Sequence, residues 1–277
     1  MKFDVIIGNP PYQLGKNRQF YKQFVIKSLG LSKGITAMIT PSGWASFSAG
    51  RSSFLNLLKD NGLCVYKYLG DSAFDIQLLT VYFICDNNNN TGSVRVIAKE
   101  DSGDLPTNLI TFLPSKNINS LYAINVFTKA AELNGGYTAI KGSLNRNRVI
   151  TADSNSGVKC IFGCGRKGEG FDWKYIDNAH LVAGDVVGNG VHKVIVSRVT
   201  SVGKLGELKY AGPEYVCSQS VYYIAVTDEK EATEVIQWLS CESVKKVVKE
   251  MKATVCSNSQ AIFAAIPRNH TTGDRLH

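Results

Sequence analysis

Apolar and β-branched positions open the chain as a short run, Phe3-Asp4-Val5-Ile6-Ile7, that stops at Gly8 and a pair of prolines. Such a run, ended by a rigid turn, reads as a buried strand that delivers a loop to a sheet edge. After a polar stretch from Gln13 to Arg18, Phe20, Phe24 and Ile26 to Leu29 recur at helical spacing, which predicts an amphipathic helix with Lys22 and Lys27 on its wetter side. Gly34 precedes Ile35-Thr36-Ala37-Met38-Ile39-Thr40, a continuous run of the kind that parallel sheets bury. Phe54 to Leu58 predicts the next helix, with Asn61-Gly62 as its stop. Leu63 to Leu69, Leu78 to Cys85 and Ser93 to Ala98 read as strands, the last at an edge, and Asn87 to Asn90 as a solvated hairpin tip. Strands alternating with helices imply an α/β unit.

From Glu100 to Ser120 the periodicity breaks up around Gly103, Pro106 and Pro114, the pattern expected of a connection between domains. We place the boundary there, with one domain over 1–120 and a second over 121–277. Asn125 to Leu133 predicts a short helix stopped by Gly135-Gly136. Val194 to Val199 reads as a strand, Glu229 to Trp238 and Cys241 to Met251 as helices, and the apolar close Ile262-Phe263-Ala264-Ala265-Ile266 ends at Pro267.

Composition narrows the picture only a little. The 277 residues are 44% hydrophobic and 19% charged, an ordinary balance for a globular chain, with a formal net charge of +8. That excess suits a polyanionic partner but says nothing of fold. The seven cysteines are scattered, and Cys64 and Cys85 sit in apolar runs as small core residues would. With no secretory leader and no run near the about 18 apolar residues of a membrane helix, a cytoplasmic, reducing setting without a membrane partner is expected. Cys160 and Cys164 lack a second pair at ligand spacing, so no metal site is expected.

The chemistry sits at the end of the first strand, in Asn9-Pro10-Pro11-Tyr12. Pro10 removes a backbone donor and pushes Asn9 out of helical conformation, and Pro11 does the same to Pro10. The Asn9 carboxamide and the Pro10 carbonyl can then accept hydrogen bonds from one exocyclic amino group, while Tyr12 offers a π-face to the ring that bears it. The plain alternative is a proline turn that merely ends a strand.

The full stretch Phe-Asp-Val-Ile-Ile-Gly-Asn-Pro-Pro-Tyr resembles the catalytic motif of N6-adenine DNA methyltransferases of restriction–modification systems. The order strand, Asn-Pro-Pro-Tyr, helix, strand, Pro41-Ser42-Gly43-Trp44, helix, strand, Phe74-Asp75-Ile76, strand extends that resemblance. It implies an α/β fold in which a partial Rossmann-like methyltransferase sheet, lacking the N-terminal cofactor-binding strands, precedes an α+β target-recognition domain. By the same resemblance Asn9, Pro10, Pro11 and Tyr12 are catalytic, and Phe74 stacks on a flipped adenine opposite Tyr12. Phe74 as a plain core residue stands beside that reading.

The second half is basic, amide-rich and glycine-interleaved: Arg146 and Arg148, then Arg166 and Lys167 among glycines, Trp173, Lys193 and Arg198. Such a mixture lets backbone approach phosphates while side chains reach bases, although ordinary loops with solvated charges would look similar. Its position matches the slot of the family's recognition domain, which makes these seven residues the expected DNA contacts. Gly163-Cys164-Gly165-Arg166-Lys167-Gly168 lacks the strand–helix context of a nucleotide loop.

The resemblance also implies S-adenosylmethionine as methyl donor, yet no glycine loop after a strand precedes Phe3 or follows Ile266. The expectation is therefore a bacterial or phage-encoded subunit that recognises double-stranded DNA and binds the flipped adenine. A partner chain would hold most of the cofactor and pair against Phe3–Ile7. A homodimer, a catalytically inactive DNA-binding or decoy protein, and a methylase of RNA or protein glutamine are the alternatives.

Overall fold

The β-branched run at the start forms β1 (Phe3–Gly8), and the helical pattern after it forms α1 (Phe20–Leu31). A computed structural model of the chain describes residues 2–13, 19–47, 53–70, 78–88, 92–114, 117–145, 157–165, 170–177, 181, 190–252 and 258–268. These fall into two compact units, Met1–Asn125 and Val126–His277.

In the first unit α1 carries the chain into β2 (Ser32–Pro41), which pairs parallel with β1. The buried stripe of α1 is Tyr21, Val25 and Leu29, spaced four residues apart. The expected stripe began at Phe20 and Phe24; those rings instead pack edge to face at 5.3 Å, and Phe24 is exposed. After a 3-10 turn at Ser42–Ala45 and α2 (Ser53–Asp60), β3 (Leu63–Gly70) runs parallel to β2. Between them lies β4 (Thr80–Asp86), antiparallel to both. β5 (Ser93–Ile97) and β6 (Ser102–Pro106) complete a six-stranded sheet ordered β1-β2-β4-β3-β5-β6.

The segment expected to be a connection thus contributes the edge strand β6. Gly103 and Pro106 disguised it, since an edge strand tolerates both where a central one does not. The core is organised by Trp44, whose ring meets Phe54, Tyr66 and Phe83 edge to face at 5.6, 6.2 and 5.6 Å. Its indole N–H donates to Thr40 Oγ1 at 2.9 Å, so a 2% exposed indole leaves no polar group unpaired.

The unit boundary falls inside α3 (Asn119–Asn134), longer than the helix expected from Asn125. The second unit is mainly antiparallel. β10 (His192–Ser197) lies between β11 (Leu208–Ala211) and β13 (Val221–Val226), with β7 (Ala139–Lys141) outside β13. A second sheet has β8 (Val158–Cys164) between β12 (Tyr215–Cys217) and β9 (Phe171–Ile176). Ile161, Ile195, Cys217, Val221 and Tyr223 pack between the two sheets.

The glycine-rich stretch, for which ordinary loops were the alternative to a DNA-contacting surface, largely forms the antiparallel pair β8 and β9, with Gly165 N donating to Gly170 O at 2.9 Å. Cys160 is a core residue of β8. α4 (Glu229–Leu239) starts at Asp228, which caps Glu231 N, while Glu231 Oε2 accepts from Thr227 N in return. α5 (Glu242–Met251) and α6 (Gln260–Ala264) follow. Among the described residues no helix is long and apolar enough to cross a membrane.

Candidate active site at the carboxyl end of the first sheet

Because β1, β2 and β3 run parallel, their carboxyl ends share one end of the sheet. Open α/β sheets bind ligands at that end. Asn9 to Tyr12 leave β1 there, Ser42–Ala45 leaves β2, and Gly70 ends β3. The end is tied by Ser42 N to Leu79 O at 2.9 Å and by Thr80 Oγ1 to Gly70 O at 3.2 Å. Phe74 lies outside the described residues; its flanking anchors, Gly70 and Leu78, are at this same end.

Within the loop Pro10 is buried while Asn9 and Pro11 are exposed. The buried proline fixes the turn, and the exposed asparagine is left to solvent. Tyr12 is half-buried, and its hydroxyl is enclosed without a hydrogen bond of good geometry. Burial pushes its phenol above the ordinary range, and the Asn9 amide beside it works in the opposite direction. Gly8 lies close against Met38: a Cβ there would meet Met38 Sδ at 3.2 Å, so the last residue of β1 packs tightly on the neighbouring strand.

Beside this loop the outer edge of β1 pairs with nothing among the described residues. Phe3, Val5 and Ile7 are 42, 51 and 78% exposed, unusual for alternating apolar residues of one strand face. The strand expected to be buried is solvent-facing: among the described residues nothing packs over these side chains and β1 is an edge strand.

The expected DNA contacts of the second unit separate into three groups. Arg146, Arg148, Arg166 and Lys167 lie outside the described residues. Trp173 is exposed at the margin of the sandwich, edge to face with Tyr215 at 4.9 Å, and Lys209 Nζ sits 5.5 Å from its ring centre. Lys159 Nζ lies 5.5 Å from the Tyr215 ring. Strand alternation places Lys159, Trp173 and Tyr215 on one sheet face, a register that the glycine-rich composition had concealed.

Lys193 is different. It is fully buried, and its Nζ donates to Gly212 O at 3.0 Å and Tyr215 O at 2.8 Å. Burial lowers its pKa, with Cys217 and Glu214 opposing. An ammonium enclosed in this way ties β10 to the turn before β12 and faces no phosphate, so Lys193 leaves the set of DNA contacts. Arg198 is half-buried, with Nη1 donating to Gln219 O at 2.7 Å. Among the described residues no cluster of three His, Cys, Asp or Glu could hold a metal ion.

Residues 1–74 match the Eco57I restriction-modification methylase family. The match covers β1, the Asn-Pro-Pro-Tyr loop, β2 and β3. The chain is similar to an uncharacterised adenine-specific methylase of Mycoplasma pneumoniae, 42% identical over 65 residues that make up 21% of this chain and 15% of that protein. Its fold is similar to the type IIL restriction-modification enzyme MmeI, solved in complex with DNA, with a TM-score of 0.57 and 8% identity. That similarity covers 98% of this chain and 47% of MmeI, so the mixed α/β architecture is shared along nearly the whole chain, which spans about half of the larger enzyme.

Proposed function

We propose that this chain is the adenine-binding and DNA-recognising part of an N6-adenine DNA methyltransferase of restriction–modification type. The observation that carries the reading is the loop after β1: an exposed Asn9 carboxamide on a turn fixed by buried Pro10, beside a half-buried Tyr12, inside the segment that matches the methylase family. Adenine flipped from the duplex stacks on the Tyr12 ring, which offsets part of an unstacking cost of about a few kcal/mol. Asn9 Oδ1 and the Pro10 carbonyl accept the two N6 hydrogens and so turn the nitrogen lone pair toward the incoming methyl. Positioning of this kind supplies much of the rate in an in-line transfer. Phe74 closes on the other face of the base.

S-adenosylmethionine supplies the methyl when bound. The described residues fit the base and not the whole of that cofactor. The open edge of β1 and the exposed Phe3, Val5 and Ile7 are where further strands would add to hold it. Those strands come from outside the described residues; they would pair with the open backbone edge of β1, and the elements that accompany them would cover its apolar face. In the second unit Trp173, with Arg146, Arg148, Arg166 and Lys167, faces DNA, and Lys159 and Lys209 join Trp173 at the same margin.

The test is methylation of plasmid DNA by the chain, expressed with and without its genomic neighbour, in the presence of S-adenosylmethionine. N6-methyladenine is expected, and its loss in Asn9→Ala with DNA binding retained assigns the chemistry to the loop. Absence of N6-methyladenine under both conditions overturns the enzyme reading and leaves a DNA-binding protein.

A further inference from the structure

The second unit contains a cavity of about 670 Å³ between the segment 203–208 and the corner where α4 meets α5. Volumes of about 300–1,000 Å³, with apolar walls and a few polar groups, are typical of small-molecule sites. Here Leu205, Leu208, Leu239 and Val248 provide the apolar lining. Lys204, Lys245, Lys246 and Lys249 provide the charge, against only Glu207 and Glu242.

Both carboxylates are already engaged. Glu242 Oε1 pairs with Lys245 Nζ at 2.8 Å, and Glu207 Oε2 accepts from Gly170 N at 2.7 Å. Lys204, Lys246 and Lys249 stand in no ion pair among the described residues. The cavity therefore has an apolar body and a rim in which four lysines outnumber two glutamates, an excess of positive charge.

Its wall is built rather than accidental. Gly203 and Gly206 adopt φ of +73° and +87°, and Gly203 N donates to Lys252 O at 3.2 Å. From beneath, the fully buried Lys252 donates through Nζ to Lys204 O, Thr200 Oγ1 and Asn258 Oδ1. Asn258 Nδ2 in turn donates to Leu205 O and Ser197 O, both at 2.8 Å. A satisfied buried network of this kind holds the loop in one conformation, so a ligand need not order it on binding.

We propose that this cavity binds a small organic polyanion with a flat apolar body, the chemistry of a nucleoside polyphosphate. The apolar lining takes the planar body, and Lys204, Lys246 and Lys249 take the phosphates. S-adenosylmethionine is a poor fit, because its sulfonium and ammonium groups outnumber its one carboxylate. The lining is thus unlike that of a methyl-donor site.

The test is titration of the full 277-residue chain with a fluorescent trinitrophenyl derivative of ATP, followed by competition. Saturable binding displaced by ATP, and not by adenosine or inorganic tripolyphosphate, is expected. The exposed double change Lys246→Glu/Lys249→Glu should weaken it at least tenfold while leaving the thermal melt unchanged. Three outcomes overturn the proposal: no saturable binding, equal displacement by tripolyphosphate, or equal loss of ATP and duplex DNA binding in the double variant. The last would make the rim a DNA-backbone surface instead.

Discussion

Two turns leave the same end of the first sheet, one after β2, which ends on Pro41, and one after β1, which ends at Gly8 just before Asn9-Pro10-Pro11. After β2, Pro41-Ser42-Gly43-Trp44 is consumed by structure: Ser42 and Trp44 are buried, the indole N–H is bonded, and three aromatic rings surround it. After β1, Asn9-Pro10-Pro11-Tyr12 is buried only at Pro10, leaving Asn9 exposed and the Tyr12 hydroxyl without a well-formed hydrogen bond. A motif whose polar groups are all satisfied internally is explained by folding. One whose polar groups are held in place yet left unpaired calls for a ligand to explain it.

The contrast can be broken by substitution. Trp44→Ala should cost about 3–5 kcal/mol of stability, since it removes a core aromatic and leaves Thr40 Oγ1 without its donor. A denaturant midpoint close to that of the unaltered chain would show that Trp44 does not organise the core. Tyr66, which packs on Trp44, gives a pH-dependent measure of the same cluster. Full burial pushes its phenol far above the ordinary 10.0, so the folded state keeps the proton that the unfolded state loses. The stabilisation is intact below pH 10 and declines as pH rises beyond it; Tyr66→Phe should flatten that alkaline decline in a series of melts. Smallest of all is the effect on stability of Asn9→Ala, expected within about 0.5 kcal/mol because the carboxamide is exposed, with the Tyr12 hydroxyl beside it. A loss near that of Trp44→Ala would make Asn9 structural and erase the distinction between the turns.

Much of the first unit was legible because its alternating strands and helix carry strong periodicity, and β1 to β5 fall close to the expected segments. The phase of α1 was misread because aromatic Phe20 and Phe24 outweigh Tyr21 and Val25 in any hydrophobicity count, yet the latter face the sheet. The second unit hid most of its strands. β8 and β9 flank a glycine-rich turn and carry Gly163, Lys159, Asp172 and Lys174, which composition assigns to loops, and the ladder that pairs Val158 with Ile176 and Ile161 with Trp173 reveals the sheet. Lys193 shows the same limit in one residue. A lysine beside a histidine at a strand start reads as solvent-facing, and nothing local announces that two backbone carbonyls wait for its ammonium across the fold.

The bare edge of β1 also governs how this polypeptide behaves in a tube. An edge with no partner strand among the described residues, flanked by Phe3, Val5 and Ile7, is a template on which another extended chain can nucleate. Preparations of the 277 residues alone should self-associate more steeply with concentration than a net charge of +8 would lead one to expect. A charged residue in place of Ile7 would act as a gatekeeper, improving yield and shelf life at a position whose side chain is 78% exposed.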